Sequence, residues 1–259
     1  MKPFIWHRQE REKKERKKLN KFDLLRQVIY NIKKSLPFIF TRIFYIRINN
    51  IGGLYMKKNT LKILSAVIII VIFTSIAILV KGSQGGILFD EKIMESVHAN
   101  TNSTITTIMK GITFLGSSLF FIGFGVVLAF LFIRNKYYEG IMPLFLSTIG
   151  TYGVNAILKN IFVRIRPLKY FLIEQTGYSF PSGHSMVSMA FYTTMTYLFL
   201  ENKKGKNTFI WVVNFLLIGL IGFSRIYLGV HWPTDVIAGY VMGFLVHIII
   251  KDIHKRQVN

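Results

Sequence analysis

The 259-residue chain contains no cysteine. Disulfides, a thiolate nucleophile and any cysteine-ligated metal are thereby excluded, while compartment is left open. Acidic residues are scarce: 12 Asp and Glu stand against 33 Lys and Arg, for a formal net charge of +21. A chain that basic raises nucleic acid as a partner. The placement of the charges argues against it. Several long runs are almost free of charge, and most basic residues fall outside them on one side. Those runs, rather than the 51% hydrophobic fraction, set the class as a membrane protein. No internal repeat and no interdomain linker is visible.

Six runs approach the ~20 residues a helix needs to cross a bilayer. They are Ile63–Val80, Ile112–Ile133, Gly140–Leu158, Gly183–Leu200, Phe209–Phe223 and Pro233–Ile250. The expected architecture is all-α: a polytopic bundle of six transmembrane helices over residues 56–259, with a basic tail over residues 1–55. Between the first two runs, the polar segment FDEKIMESVHAN reads as a short interfacial helix. The tail holds 14 Lys and Arg against four Asp and Glu. It is expected to be dispensable. Met56-Lys57-Lys58 before an apolar run looks like the ordinary beginning of a bacterial membrane protein, so an internal start at Met56 would leave the tail untranslated.

Of the 33 basic residues, 25 lie on the tail side of the expected spans. Positive charge accumulates on the cytoplasmic side, which puts both termini there in a multi-pass cell-membrane protein. The remaining eight are Lys81, Lys92, Lys110, Lys159, Arg164, Arg166, Lys169 and Arg225. Cations that defy the bias call for another reason, and an anionic ligand is the natural one.

Three clusters carry such residues: Lys159 with Arg166-Pro167, Pro181-Ser182-Gly183-His184, and Ser224-Arg225 with His231 and Asp235. Two crossings separate the second from the third, so all three meet on one face. Lys159, Arg166 and Arg225 suit a tetrahedral dianion, arginine by its planar fork and lysine as a point charge. Ser182 is a good N-cap, Gly183 lets a ligand approach the backbone, and a helix start offers free N–H groups to an anion. His184 sits in that first turn. His231 and Asp235, four apart, share a face if helical, and a carboxylate on one imidazole nitrogen leaves the other free to attack. This suite suits phosphoryl transfer. Only Glu174 and Asp235 among the acids lie in or beside the site loops, too few for a two-metal phosphatase. Each piece alone has a bland reading. A lone cation near a boundary is an interfacial anchor, and His7, His98, His247 and His254 read as structural or solvated.

Taken together, the clusters resemble the type 2 phosphatidic acid phosphatases, the membrane branch of the acid phosphatase and vanadium haloperoxidase superfamily. The pattern is matched as Lys159, six residues, Arg166-Pro167; as Pro181-Ser182-Gly183-His184; and as Ser224-Arg225, five residues, His231, three residues, Asp235. The resemblance spans about residues 60–250. It implies His231 as nucleophile, Asp235 as its orienting partner and His184 as the acid and base. It implies Lys159, Arg166, Ser182, the Gly183 amide and Arg225 as phosphate holders, with no metal and no cofactor. The expected partners are a lipid phosphate, with undecaprenyl pyrophosphate favoured, and the membrane lipids, not nucleic acid; oligomeric state is not addressed. Phosphatidylglycerophosphate and phosphatidate are alternatives, as are a phosphotransferase or a non-catalytic lipid-phosphate binder. Tyr170, Phe171, Tyr178 and Phe180 are candidates to line the entrance.

Overall fold

The computed structural model describes residues 58–81, 85–201 and 207–258. The tail and the expectations placed on it lie outside these residues. From Lys62 onward the chain forms one compact unit. Among the described residues there is no strand, and eight helices follow in order: α1 Lys58–Lys81, α2 Leu88–His98, α3 Ser103–Phe114, α4 Ser118–Arg134, α5 Tyr138–Phe162, α6 Gly183–Leu200, α7 Thr208–Tyr227 and α8 Pro233–Val258. α5 is composite, with a π turn at Leu146–Gly150.

Helices α1, α5, α7 and α8 are long and apolar enough to cross a membrane. α3 and α4, bent by 43° at a short break, make a fifth candidate crossing together. Exposed apolar rows run along α1 (Ile63, Val67, Ile70, Ile78) and α4 (Leu119, Ile122, Val126, Phe130). A surface that apolar finds its solvent in hydrocarbon, not water. The chain is a helical membrane protein.

Three elements differ from the sequence expectation. The expected second span from Ile112 begins earlier, at Ser103, where Asn102 caps the helix by accepting from the Ile105 amide at 2.9 Å. It also breaks at residues 115–117. There a Cβ on Gly116 would fall 2.5 Å from Ile221 and 3.2 Å from the His184 ring. Only a residue without a side chain lets the bend sit against α6 and α7. The third difference is α6. It was expected as the fourth crossing, yet it is not among the helices apolar enough to span by themselves. It carries His184, Ser185, Ser188, Thr193, Thr194 and Thr196, and it packs against α5, α7 and α8. Much of its polar side faces protein rather than lipid: Ser185 donates to Ser182, Thr194 meets His247 and Thr196 donates to Asn214, which lowers the cost of burying them.

The contact of α6 with α8 is the closest in the bundle's centre. A Cβ on Gly239 would stand 2.7 Å from the Ser182 carbonyl, and one on Gly243 would stand 2.3 Å from that of Met186. Small residues four apart let two membrane helices approach to backbone contact. This approach delivers the start of α8 to the start of α6. Elsewhere Phe73, Ala77 and Val80 of α1 pack with Phe180 and Ala238, and Phe121 of α4 packs with Val187 and Phe191 of α6. At the far ends of α6 and α8, Glu201 accepts from Tyr137 and lies 3.1 Å from His254 Nε2. His247 meets Thr194 at 3.0 Å, and His98 meets the Met94 carbonyl at 2.8 Å. These three histidines make their contacts away from the motif clusters.

Candidate active site

The turn between α7 and α8 is built by backbone constraints. Gly229 has φ +73°, and a Cβ there would lie 1.8 Å from the Tyr170 carbonyl. Both the left-handed conformation and the close approach require glycine. The Val230 and His231 amides donate to the Arg225 carbonyl at 3.1 and 3.3 Å. α8 then opens with Pro233, suited to a first turn. Asp235 Oδ2 accepts from the Trp232 amide at 2.9 Å, half of a capping box. Local helix-start chemistry therefore already fixes where Asp235 points.

His231 is 2% exposed, so its ring is settled by its neighbours. Nε2 lies 3.2 Å from Arg166 Nη1, and Nδ1 lies 3.4 Å from Asp235 Oδ2 and 3.5 Å from Ser179 Oγ. A guanidinium can only donate. Nε2 is therefore the acceptor, and the ring proton sits on Nδ1, toward the carboxylate. The Nδ1 contact is longer than an ordinary hydrogen bond. Oδ2 is shared, because the Ser179 hydroxyl and the Trp232 amide also donate to it. Burial, with the charges of Arg166, Lys159 and Arg225, holds the imidazole well below the usual histidine value. His231 is thus a neutral base with a directed lone pair.

The cations converge on it. Arg166 uses Nε on the Gly177 carbonyl at 2.9 Å, Nη1 on the Val230 carbonyl at 2.6 Å, and Nη2 on the carbonyls of Thr176 and Tyr178, each at 3.1 Å. Burial lowers its pKa to about 10, so it remains charged at neutral pH. Lys159, in the last turn of α5, donates to the Tyr178 and Ser179 carbonyls. Arg225, 2% exposed, reaches Thr113 Oγ1 at 2.8 Å and Gln175 Oε1 at 2.9 Å.

The remaining cluster forms the start of α6. Ser182 is its N-cap, and the Ser182 amide donates to the Asp235 carbonyl at 3.0 Å, joining the two helix starts. Asn155, one turn before Lys159 on α5, donates to the Pro181 carbonyl at 3.1 Å. Its Oδ1 fills the space where a Gly183 Cβ would fall, at 2.9 Å. His184 is half-buried beside the Gly116 bend, within electrostatic reach of Arg225, His231, Arg166 and Lys159. All eight candidate residues thus gather at one end of α5–α8.

Several neighbours were missed by the sequence reading. Arg164 Nη1 donates to Asp235 Oδ1 at 2.7 Å, and its Nη2 donates to Asp90 Oδ2 at 2.7 Å. Glu174 is exposed, whereas Asp90, from α2, is fully buried beside the site. The count of acids near the site is corrected accordingly. No sequence signal finds Asp90, which meets Arg164 from 74 residues away. Ser179, Asn155, Gln175 and Thr113 lacked a motif as well. The aromatic entrance is also revised. Phe180 is fully buried against Phe73 and Phe162, and Tyr170 is buried with its hydroxyl on Glu91 at 3.1 Å. Tyr178 remains exposed.

A neutral imidazole, an orienting carboxylate, a second histidine and three cations can take up a phosphoryl group. Known proteins are similar to this chain. Residues 140–258 match the PAP2 superfamily. Phosphatidylglycerophosphatase B of Bacillus subtilis is 32% identical over 173 residues, 64% of this chain and 84% of that protein. An undecaprenyl-diphosphatase of Sulfolobus acidocaldarius is 27% identical over 68% of this chain and 84% of that one. Among solved structures, a transmembrane PAP2-type phosphatidylglycerolphosphate phosphatase from Bacillus subtilis superposes with TM-score 0.67 at 27% identity, over 74% of this chain and 96% of that one. Aquifex aeolicus LpxE does so with TM-score 0.53 at 26% identity, over 64% and 96%. Similarity across so much of these phosphatases, with every motif residue gathered in one place, identifies the chain as a member of the PAP2 superfamily and one of its membrane lipid phosphatases.

Proposed function

We propose that the protein hydrolyses its lipid phosphate or pyrophosphate through a phosphohistidine on His231, without a metal ion. The observation that carries this is the two-sided hold on the ring, with Nδ1 turned to Asp235 and Nε2 against Arg166. The Nε2 lone pair attacks phosphorus, the bond to the lipid-side oxygen breaks, and His184 supplies that oxygen with its proton. Water, giving its proton to His184, then breaks the N–P bond and releases phosphate. Lys159, Arg166, Ser182, the Gly183 amide and Arg225 hold the phosphoryl oxygens, where fixed charge lowers the barrier. Arg166 exchanges part of its present carbonyl partners for those oxygens.

The site faces away from the cytoplasm in this reading, and undecaprenyl pyrophosphate is the substrate. The Sulfolobus acidocaldarius relative's name supports that choice. Phosphatidylglycerophosphate is a second reading, favoured by the Bacillus subtilis relative and by the solved neighbour bearing that activity in its name. A non-catalytic binder would need only the cations and would leave the His231–Asp235 pair without use.

The test is phosphate release by the purified protein from both lipids, with acid-labile phosphate trapped on the enzyme mid-reaction. His231→Ala is expected to lose the trapped phosphate and about 10³-fold or more of the turnover. A His231→Ala variant with wild-type turnover overturns the mechanism, and release from only one lipid chooses the substrate.

A further inference from the structure

Asp235 has two oxygens, and only one faces His231. The other, Oδ1, is taken by Arg164 Nη1 at 2.7 Å. Arg164 is itself gripped from several sides. Its Nη1 also reaches Thr234 Oγ1 at 2.7 Å, and its Nη2 reaches Asp90 Oδ2 at 2.7 Å and the Gly85 carbonyl at 3.2 Å. Asp90 in turn accepts from the Thr234 amide at 2.9 Å and the Thr234 hydroxyl at 2.8 Å. The side chains are 2% exposed for Arg164 and fully buried for Asp90 and Asp235. The Arg164 guanidinium carbon lies 5.6 Å from the centre of the Trp232 ring.

We propose that Arg164 and Asp90 are positioning residues for the nucleophile: Arg164 clamps Asp235 Oδ1 so that Oδ2 is turned to His231, and Asp90 shares the guanidinium so that Asp235 keeps its negative charge for the imidazole. The proposal rests on the phosphohistidine mechanism above. A lone arginine on Asp235 would neutralise the carboxylate that has to stabilise a phosphorylated imidazolium. Two carboxylates around one guanidinium leave one net negative charge beside His231. The planar fork of arginine is what can serve both acids at once, and an ammonium cannot reproduce it. Helix α2 thereby becomes part of the catalytic apparatus without touching substrate.

Two variants separate geometry from charge. Arg164→Lys keeps the charge and loses the fork. Asp90→Asn keeps the size and loses the charge. Both are assayed in the full-length protein, with turnover normalised to the amount of folded, monodisperse protein so that unfolded molecules do not count. kcat is expected to fall about 10- to 100-fold in Arg164→Lys, the scale seen when partners orienting a reactive ligand are lost. KM should stay within about threefold, because Lys159, Arg166 and Arg225 are untouched. In Asp90→Asn the acid limb of kcat/KM is expected to move to lower pH. The field at His231, otherwise set by Asp235, Arg166, Lys159, Arg225 and His184, has then lost a negative charge. A merely structural role would lower the yield of active protein and leave the limb in place. Turnover within twofold of wild type in both variants, with an unmoved limb, overturns the proposal. If Arg164→Lys does not fold, the limb of Asp90→Asn decides alone. If the wild-type protein traps no phosphate on His231, the mechanism has failed; if it does and the variants behave as wild type, only the positioning role has failed.

Discussion

In the proposed mechanism, His231 attacks only while its Nδ1 proton stays with Asp235 and its Nε2 lone pair is directed at phosphorus. Burial and the Arg166, Lys159 and Arg225 charges disfavour protonation of the folded site. The attacking form therefore persists below the ordinary histidine value of about 6.5, and the acid limb of kcat/KM that belongs to His231 lies below it. Removing a cation raises that value, so in Arg166→Gln the limb moves to higher pH while phosphate binding weakens. A pH–rate series on both proteins checks this, and a limb that moves to lower pH contradicts it. The same shift links to stability. The unfolded chain takes up a proton on His231 near pH 6.5 and the folded chain does not. This contribution to stability is present above about pH 6.5 and is lost as the pH falls. At this scale the sequence was informative where a residue's type carried its chemistry, as with His184, His231, Asp235 and the three cations. It marked Arg164 only as one of eight cations against the charge bias and was silent on Asp90, because their pairing exists only once chain segments 74 residues apart meet.

Among the elements, the pairing of α6 with α8 aligns the two helix starts that hold Ser182 and Asp235. Gly239 and Gly243 permit it, and a side chain at Gly243 would meet the Met186 carbonyl at 2.3 Å. Gly243→Val is expected to cost about 1–3 kcal/mol by forcing the backbones apart. It should also lower kcat, because the Ser182-to-Asp235 link opens with the helices. Thermal unfolding in detergent together with turnover checks both effects, and a variant with unchanged melting and activity would show that the contact is not needed. Helix existence was legible from apolar runs, since a run of spanning length has few alternatives in a membrane. The break at Gly116 and the start at Ser103 were not. Thr, Ser and Gly in this stretch read as loop composition, and what makes them helix is packing against α6 and α7 that no local pattern announces.

For the whole molecule, the 25-to-8 division of basic residues predicts a direction in the membrane. The site loops are expected outside and the loop between α6 and α7 inside. Because the chain has no cysteine, single cysteines report cleanly. Glu174→Cys, exposed and free of the Arg225 contact that occupies Gln175, should react with an impermeant thiol reagent in intact cells, and Lys204→Cys should not. The reverse labelling would invert the topology. The polar character of α6 has a consequence for biogenesis. A segment that begins Gly-His-Ser and carries three further threonines on its buried side gains little by partitioning alone from the translocon into lipid. Its crossing has to await α7 and α8, the helices that cover most of that side. The helix that bears Ser182, Gly183 and His184 would then be the last to settle, and the enzyme would acquire its activity only at the final step of its assembly.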